Sequence, residues 1–334
     1  MSWINRNGVA LLCSMLLFLF TSCRGKELTR YDEEKFLFGT HIKMIVFAEN
    51  KKAAQDAMKS AFDEMERIDR KYNSKDLKSD IYKLNSLPEG EKSIELDEEG
   101  RFLFNKVNEI FQLTEKKYDI TIYPLMEIWG FLEDREEKVP GEGEIKQAQK
   151  LIGYENVVLL GNRLTINPPV KEIDTGSFLK GYAVEKAADM LKEKGIEYGF
   201  VSSLSSIATI GGKPDGTAWK VGIQNPQSPE ELLGIVELRD ESMGVSGDYQ
   251  TFVEIEGKRY HHILDRETGY PVMDKKMVVV IGQSALDGDL LSTGFFLMKN
   301  EDILKYSQEK ELKTLLVNED MSQETSQRFK FSNK

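Results

Sequence analysis

Cysteine is almost absent from this sequence. Only Cys13 and Cys23 occur in 334 residues, and Cys13 lies inside an uncharged apolar stretch near the start. A disulfide framework is excluded, as is a cysteine-based metal site or nucleophile. Histidine is nearly as scarce, so imidazole chemistry falls to His41, His261 or His262. Basic residues are outnumbered: 45 Lys and Arg face 56 Asp and Glu, for a net charge of -11. That balance argues against a nucleic-acid partner, which calls for a basic face. It does not exclude an anionic small molecule, which backbone N–H groups, a few local cations and a metal ion can hold. Internal repeats and low-complexity linkers are also missing. The uncharged run Val9–Phe20 is too short for a comfortable membrane span.

What is present describes an exported globular protein. Apolar residues make up 40% and aromatics 10% of the chain, enough for a sizeable core. Met1–Asn7 carries one cation, Arg6, and Val9–Phe20 has the length of a signal-peptide core. Phe20-Thr21-Ser22-Cys23, followed by a charged segment, resembles a bacterial lipobox, with Phe20 where Leu is usual. The expectation is a signal peptide over 1–22 and lipid on Cys23. The chain would then be anchored to the extracytoplasmic face of the bacterial cell membrane. An ordinary cleaved signal or a plain N-terminal anchor is the alternative.

Residues 23–35 read as a polar tether, 36–316 as the folded domain, and 317–334 as a polar, frayed tail. Phe36–Phe47 carries strand character. Ala53–Tyr72 has apolar residues at helical spacing, Phe102–Thr114 and Glu144–Leu151 are further helices, and Leu179–Lys194 is a helix stopped by Gly195. Beyond it the pattern turns to strands: Tyr198–Ile210, Trp219–Ile223, Gly234–Leu238, Ser242–Ser246, Thr251–Ile255 and Lys276–Gly282. A helix over Ser284–Met298 follows, opened by a capping-box pattern at Ser284 to Asp287. Helices at the front and strands behind predict an α+β fold with mixed sheets flanked by helices.

Three constellations could carry chemistry. In a strand, His261 and His262 face opposite ways; either one faces a cavity or both are structural. Asp289 and Thr293 stand four apart on a predicted helix and share a face. A carboxylate and a hydroxyl there suit a hard cation such as Mg²⁺, or else form a solvated face. Asp174 to Tyr182 is a glycine-containing turn entering a helix, whose free N–H groups and nearby Lys180 suit a phosphate. It is neither a Walker loop nor a dinucleotide fingerprint.

Taken in order, these pieces resemble the ApbE family of flavin transferases. The similarity rests on Phe38-Gly39-Thr40, Tyr118-Asp119-Ile120-Thr121, Asp174 to Tyr182, Ser246-Gly247-Asp248-Tyr249, Arg259 to Asp265, and Ser284 to Thr293. It implies an enzyme that uses Mg²⁺ and takes FAD as substrate. Such an enzyme moves FMN to a Thr or Ser hydroxyl of an acceptor protein and releases AMP. The acceptor would be an FMN-binding domain of a membrane redox complex. It also implies roles by position. Asp289 and Thr293 would bind the metal through side chains, and Ser177 through its carbonyl. Phe38, Asp119, Lys180, Glu185, His262 and Ile263 would line the FAD site. His262 would act as the base, with Asp289 as its rival in catalysis. Departures are Glu185 for Asp, the segment Ser202 to Ser206 in place of a glycine-containing one, Thr251 for Arg, and Arg266 for Pro. Alternatives within the same site are an FAD pyrophosphatase and a lipoprotein that only binds flavin.

Overall fold

A computed structural model of the chain describes residues 27–90, 92–132 and 138–332. The expectations for residues 1–22 and for Cys23 lie outside this range. The described chain opens with a hairpin of β1 (Thr29–Leu37) and β2 (Thr40–Ala48). Its two turn residues, Phe38 and Gly39, both have positive φ, 53° and 71°, the requirement of a type I′ hairpin turn. The single strand expected over Phe36–Phe47 is therefore two, and the tether reading of 23–35 is corrected, because β1 begins at Thr29. Its alternating exposure had the polar face on display and read as a linker.

The helical half follows: α1 (Lys51–Tyr72), α2 (Asp80–Asn85), β3 (Lys92–Glu95), α3 (Glu98–Leu113), α4 (Tyr123–Ile128), α5 (Glu142–Gln149), β4 (Val157–Leu160), β5 (Arg163–Ile166) and α6 (Leu179–Glu193). Asn50, Ser79 and Asp97 cap α1, α2 and α3 by accepting a backbone N–H, which satisfies donors that the first turn leaves free. Gly195, at φ 81°, follows the end of α6 as expected. Then come β6 (Gly199–Ser202), β7 (Ser206–Ile210), β8 (Trp219–Gln224), β9 (Leu232–Leu238), β10 (Ser242–Gly247), β11 (Phe252–Ile255), β12 (Lys258–His261), β13 (Lys275–Gly282), α7 (Ala285–Phe296), α8 (Asn300–Glu309), β14 (Lys313–Asn318) and β15 (Gln323–Thr325).

Eight strands form the main sheet in the order β1-β2-β6-β7-β10-β13-β14-β15, and every described pairing in it is antiparallel. The α+β expectation holds. Strand β13 is buried along nearly its whole length, because it lies inside the sheet with both faces covered. Val278 and Val280 pack into the core shared with α1, α3, α6 and α7, while Met277, Val279 and Ile281 pack against the β8–β9 hairpin. The tail is a second correction: Phe329 is buried in the hairpin-side core, and Ser332 bonds to Ile235. Its polar residues hid two anchoring aromatics, Phe329 and Phe331.

Helix α7 is buried almost all round, so its neighbours must come close. Glycines make this possible. A Cβ on Gly244 of β10 would sit 2.1 Å from the Gly288 carbonyl oxygen, and one on Gly181 of α6 would sit 2.4 Å from Asp289 Cβ. Gly244→Ala drives a methyl into backbone that cannot yield, so we expect a loss of about 1–3 kcal/mol or more. A urea midpoint equal to wild type would contradict this packing.

Candidate active site

The close approach of α6 and α7 sets up the site. Gly181 donates its N–H to Asp289 Oδ2 at 2.8 Å. In an undisturbed helix that N–H would go to the Ser177 carbonyl four residues back. Among the described residues the Ser177 carbonyl receives no hydrogen bond. It therefore remains without an internal donor, on a residue that lines the same cavity as Asp289. Asp289, Thr293 and Ser177 all line one cavity of about 250 Å³. This opens onto a cleft of about 980 Å³ through shared walls at Asp174, Lys180, Thr251 and His262. The larger cleft alone falls in the range of small-molecule sites, about 300–1,000 Å³.

Asp289 is buried. Loss of water raises its pKa; the charge of Lys180 and the Gly181 N–H pull the other way. A carboxylate held away from solvent without a close ion-pair partner is stabilised by a cation. The donors at hand are a carboxylate, a hydroxyl and a carbonyl, all oxygen. They fit a hard ion that keeps positions open for phosphate oxygens, as Mg²⁺ does. Among the described residues there is no group of three or more His, Cys, Asp or Glu suited to a metal, so a site made wholly of such side chains is not available.

Lysines supply the positive field. Lys180 lines both spaces and rests its Nζ on the Gly176 carbonyl at 3.0 Å. Lys75 and Lys117 join it on the cavity wall. None of the three forms an ion pair among the described residues, although most salt-bridged lysines sit elsewhere on the surface. Sequence reasoning missed Lys75 and Lys117. Each lies in a loop, and only tertiary folding brings it to Lys180. Ser74 anchors the first of these loops by donating to Asp174 Oδ1 at 2.7 Å.

The two histidines divide as the strand argument allowed. His261 is buried, bonds through Nε2 to the Val272 carbonyl at 2.6 Å, and accepts from the Ile263 N–H through Nδ1. Both of its nitrogens are committed to structure. His262 lines the cavity with Nδ1 against the Thr251 carbonyl at 3.1 Å. A carbonyl only accepts, so Nδ1 carries the proton and Nε2 bears the lone pair. Burial pushes this imidazole down to about 4, with the charges of His261 and Lys180 adding to the effect. An unperturbed imidazole titrates near about 6.5; His262, expected as the base, is instead neutral well below pH 7.

The remaining expected residues separate. Ile263 is buried on the cavity wall, and Phe38 lines the larger cleft. Asp119 borders the cavity but turns its carboxylate into the protein. Its oxygens accept from Thr121 N and Oγ1 and from Tyr154 N, and pair with Arg266 at 2.7 Å. It braces the wall that it lines. Glu185 does not line either space. Its Oε2 accepts from Ser284 Oγ at 2.5 Å and from Leu286 N at 3.2 Å, so it caps the start of α7. The Ser202 to Ser206 segment forms the β6–β7 turn, with Leu204 at φ 66°. That left-handed backbone is one that glycine adopts freely and leucine does not.

Comparison with known proteins places the chain in a family. The ApbE family model matches residues 38–316. An FAD:protein FMN transferase of Vibrio cholerae is 32% identical over 208 residues, spanning 61% of this chain and 62% of that protein. One from Haemophilus influenzae is 26% identical over 247 residues, covering 72% and 71%. The match to the Vibrio protein thus spans less than two thirds of its length. The crystal structure of an ApbE protein from Thermotoga maritima superposes with a TM-score of 0.83 at 29% identity, covering 92% of this chain and all of that one.

The histidines generate a pH expectation. Burial lowers both to about 4, against about 6.5 in an unfolded chain. Between these values the unfolded state binds more protons, so their contribution to stability is whole above about pH 6.5 and is lost as pH falls towards 4. Imidazole NMR signals of His261 and His262 should stay in the neutral form from pH 8 to 5. His262→Gln should flatten part of the acid-side fall in urea stability. A His262 signal with a midpoint near 6.5 would contradict the burial argument.

Proposed function

The chain belongs to the ApbE family, and on that premise we propose that it transfers the FMN half of FAD to a Thr or Ser hydroxyl of an acceptor protein, with Mg²⁺, releasing AMP. One observation carries the reading. A buried carboxylate, Asp289, shares a cavity with Thr293, the free Ser177 carbonyl, three lysines without ion pairs, and a neutral His262. Such a site is built for an anionic diphosphate and for a proton acceptor beside it.

Phosphoryl transfer depends mainly on positioning and charge neutralisation. Asp289, Thr293 and the Ser177 carbonyl would hold Mg²⁺, which when bound neutralises charge on the diphosphate and its AMP leaving group. Lys180, Lys75 and Lys117 bind the diphosphate and orient it along the cavity. The acceptor oxygen forms a bond to the FMN phosphorus while the bond from that phosphorus to the AMP oxygen breaks. His262 Nε2 takes the hydroxyl proton, and AMP leaves with the electron pair. Apolar walls at Ile120, Ile263 and Leu264 keep bulk water away from the phosphorus.

Among the described residues no helix is long and apolar enough to cross a membrane. Attachment would come through lipid on Cys23. Only a few residues separate Cys23 from the start of β1 at Thr29, a reach of about 20 Å when extended. The domain is thus held close to the extracytoplasmic membrane face, where an FMN-binding domain of a membrane redox complex is a suitable acceptor.

The test is incubation with FAD, Mg²⁺ and an FMN-binding acceptor domain, read by mass spectrometry for added FMN. Asp289→Ala should lower transfer by about a hundredfold or more. His262→Gln should cost about 10²–10⁴-fold while leaving metal affinity intact. Rapid AMP release without acceptor would assign hydrolysis, and full transfer by Asp289→Ala would sink the site.

A further inference from the structure

Three hydroxyls next to Asp289 form a chain whose proton order can be worked out. Ser292 Oγ lies 3.0 Å from the Asp289 main-chain carbonyl. A carbonyl only accepts, so the Ser292 proton points there. Ser246 Oγ lies 3.0 Å from Ser292 Oγ and 3.1 Å from Thr293 Oγ1. Each hydroxyl owns one proton. With the Ser292 proton committed, Ser246 donates to Ser292. With the Ser246 proton committed, Thr293 donates to Ser246. This is the one arrangement that makes all three bonds. Ser292 is fully buried and Ser246 nearly so, so water does not easily scramble the order, and an unmade bond there is costly.

The consequence falls on Thr293. Its proton is turned towards β10, and its lone pairs are left to the cavity that it shares with Asp289. A freely rotating hydroxyl would aim its proton at the cavity part of the time and repel a cation. We propose that Ser246 and Ser292 are positioning residues. Through this one-way relay they hold the Thr293 hydroxyl with its lone pairs facing the cation site. The inference rests on the reading of Asp289 and Thr293 as cation ligands. It adds two residues, Ser246 on the wall of the same cavity and Ser292 buried behind it, that act through Thr293.

Mn²⁺ serves as the probe, followed by its electron spin resonance signal in titrations of the full domain with ADP present as the diphosphate. Ser246→Ala should weaken Mn²⁺ binding about tenfold, as loss of a residue that orients a ligand does. Ser246→Thr should restore it. Ser292→Ala should also weaken it, because the released Ser246 proton can then point at Thr293 and reverse the order. It serves as the second variant should Ser246→Ala fail to fold. The decisive comparison is a double-mutant cycle with Thr293→Val. Once Thr293 has no hydroxyl, removing the Ser246 hydroxyl should cost no further affinity, whereas a merely structural serine would add its full effect. Binding that depends on Asp289 but is indifferent to Ser246 and Ser292, or costs that add, would overturn the relay alone. Binding indifferent to Asp289→Ala would overturn the underlying reading of the site.

Discussion

The hydrogen bond from Gly181 N–H to Asp289 Oδ2 is the contact on which the rest of the site depends. It requires α6 and α7 to meet at backbone distance, and that requires residue 181 to lack a Cβ. The same bond does two things. It fixes a buried carboxylate in place, and it withdraws from Ser177 the N–H that would have occupied its carbonyl. One glycine thus fixes one oxygen donor and frees another, on two residues that line one cavity. Gly244 repeats the device on the other side, where β10 presses on α7 and brings Ser246 against Ser292 and Thr293.

Burial explains why this arrangement has a chemical bias. Asp289 and His262 are both moved by the loss of water, in opposite directions: the acid up, the base down. Each shift favours the neutral form, and each is opposed by a nearby opposite charge, a cation for the carboxylate and anionic oxygens for the imidazole. Lysines converge on the same space in a chain whose net charge is -11. Their position, not their number, sets the local sign of the field.

Much of this was legible in the sequence, and the misses have physical causes. Asp289 and Thr293 were readable because helical spacing puts residues four apart on one face, and the His261–His262 division followed from strand alternation. The helix ends were readable from caps such as Asn50 and the glycine after α6. Lys75 and Lys117 were not, because loops converge only through tertiary folding. Glu185 was misplaced because a matching charge at a matching position does not fix the direction of a side chain; its carboxylate went to the Ser284 hydroxyl and the Leu286 N–H at the start of α7. Asp119 reaches the cavity wall as expected, while Arg266, a residue that departs from the family pattern, draws its carboxylate inward. Strand β1 and the ordered tail went unread because edge and surface segments bury few residues, and polar composition outweighed the sparse anchors.

The low proton affinity of His262 remains to be reconciled with a role as base. A free imidazole held near pKa 4 is a weak acceptor for a hydroxyl proton, and transfer to it is uphill. One of the groups that depress it, however, responds to the ligand. Lys180 contributes a positive charge, and a bound diphosphate neutralises that charge while placing anionic oxygens in the same cavity. On the proposed reading, substrate binding therefore raises the proton affinity of His262 at the moment when a base is needed. The Thr251 carbonyl, which fixes the tautomer, also steadies the imidazolium once formed, since Nδ1 donates to it in both states. A base that is neutral when the cavity is empty and stronger when it is full is protected against idle protonation on an acidic protein. The same logic applies to Asp289, whose ionised form, held in part by Lys180 and the Gly181 N–H, is stabilised further when a cation arrives.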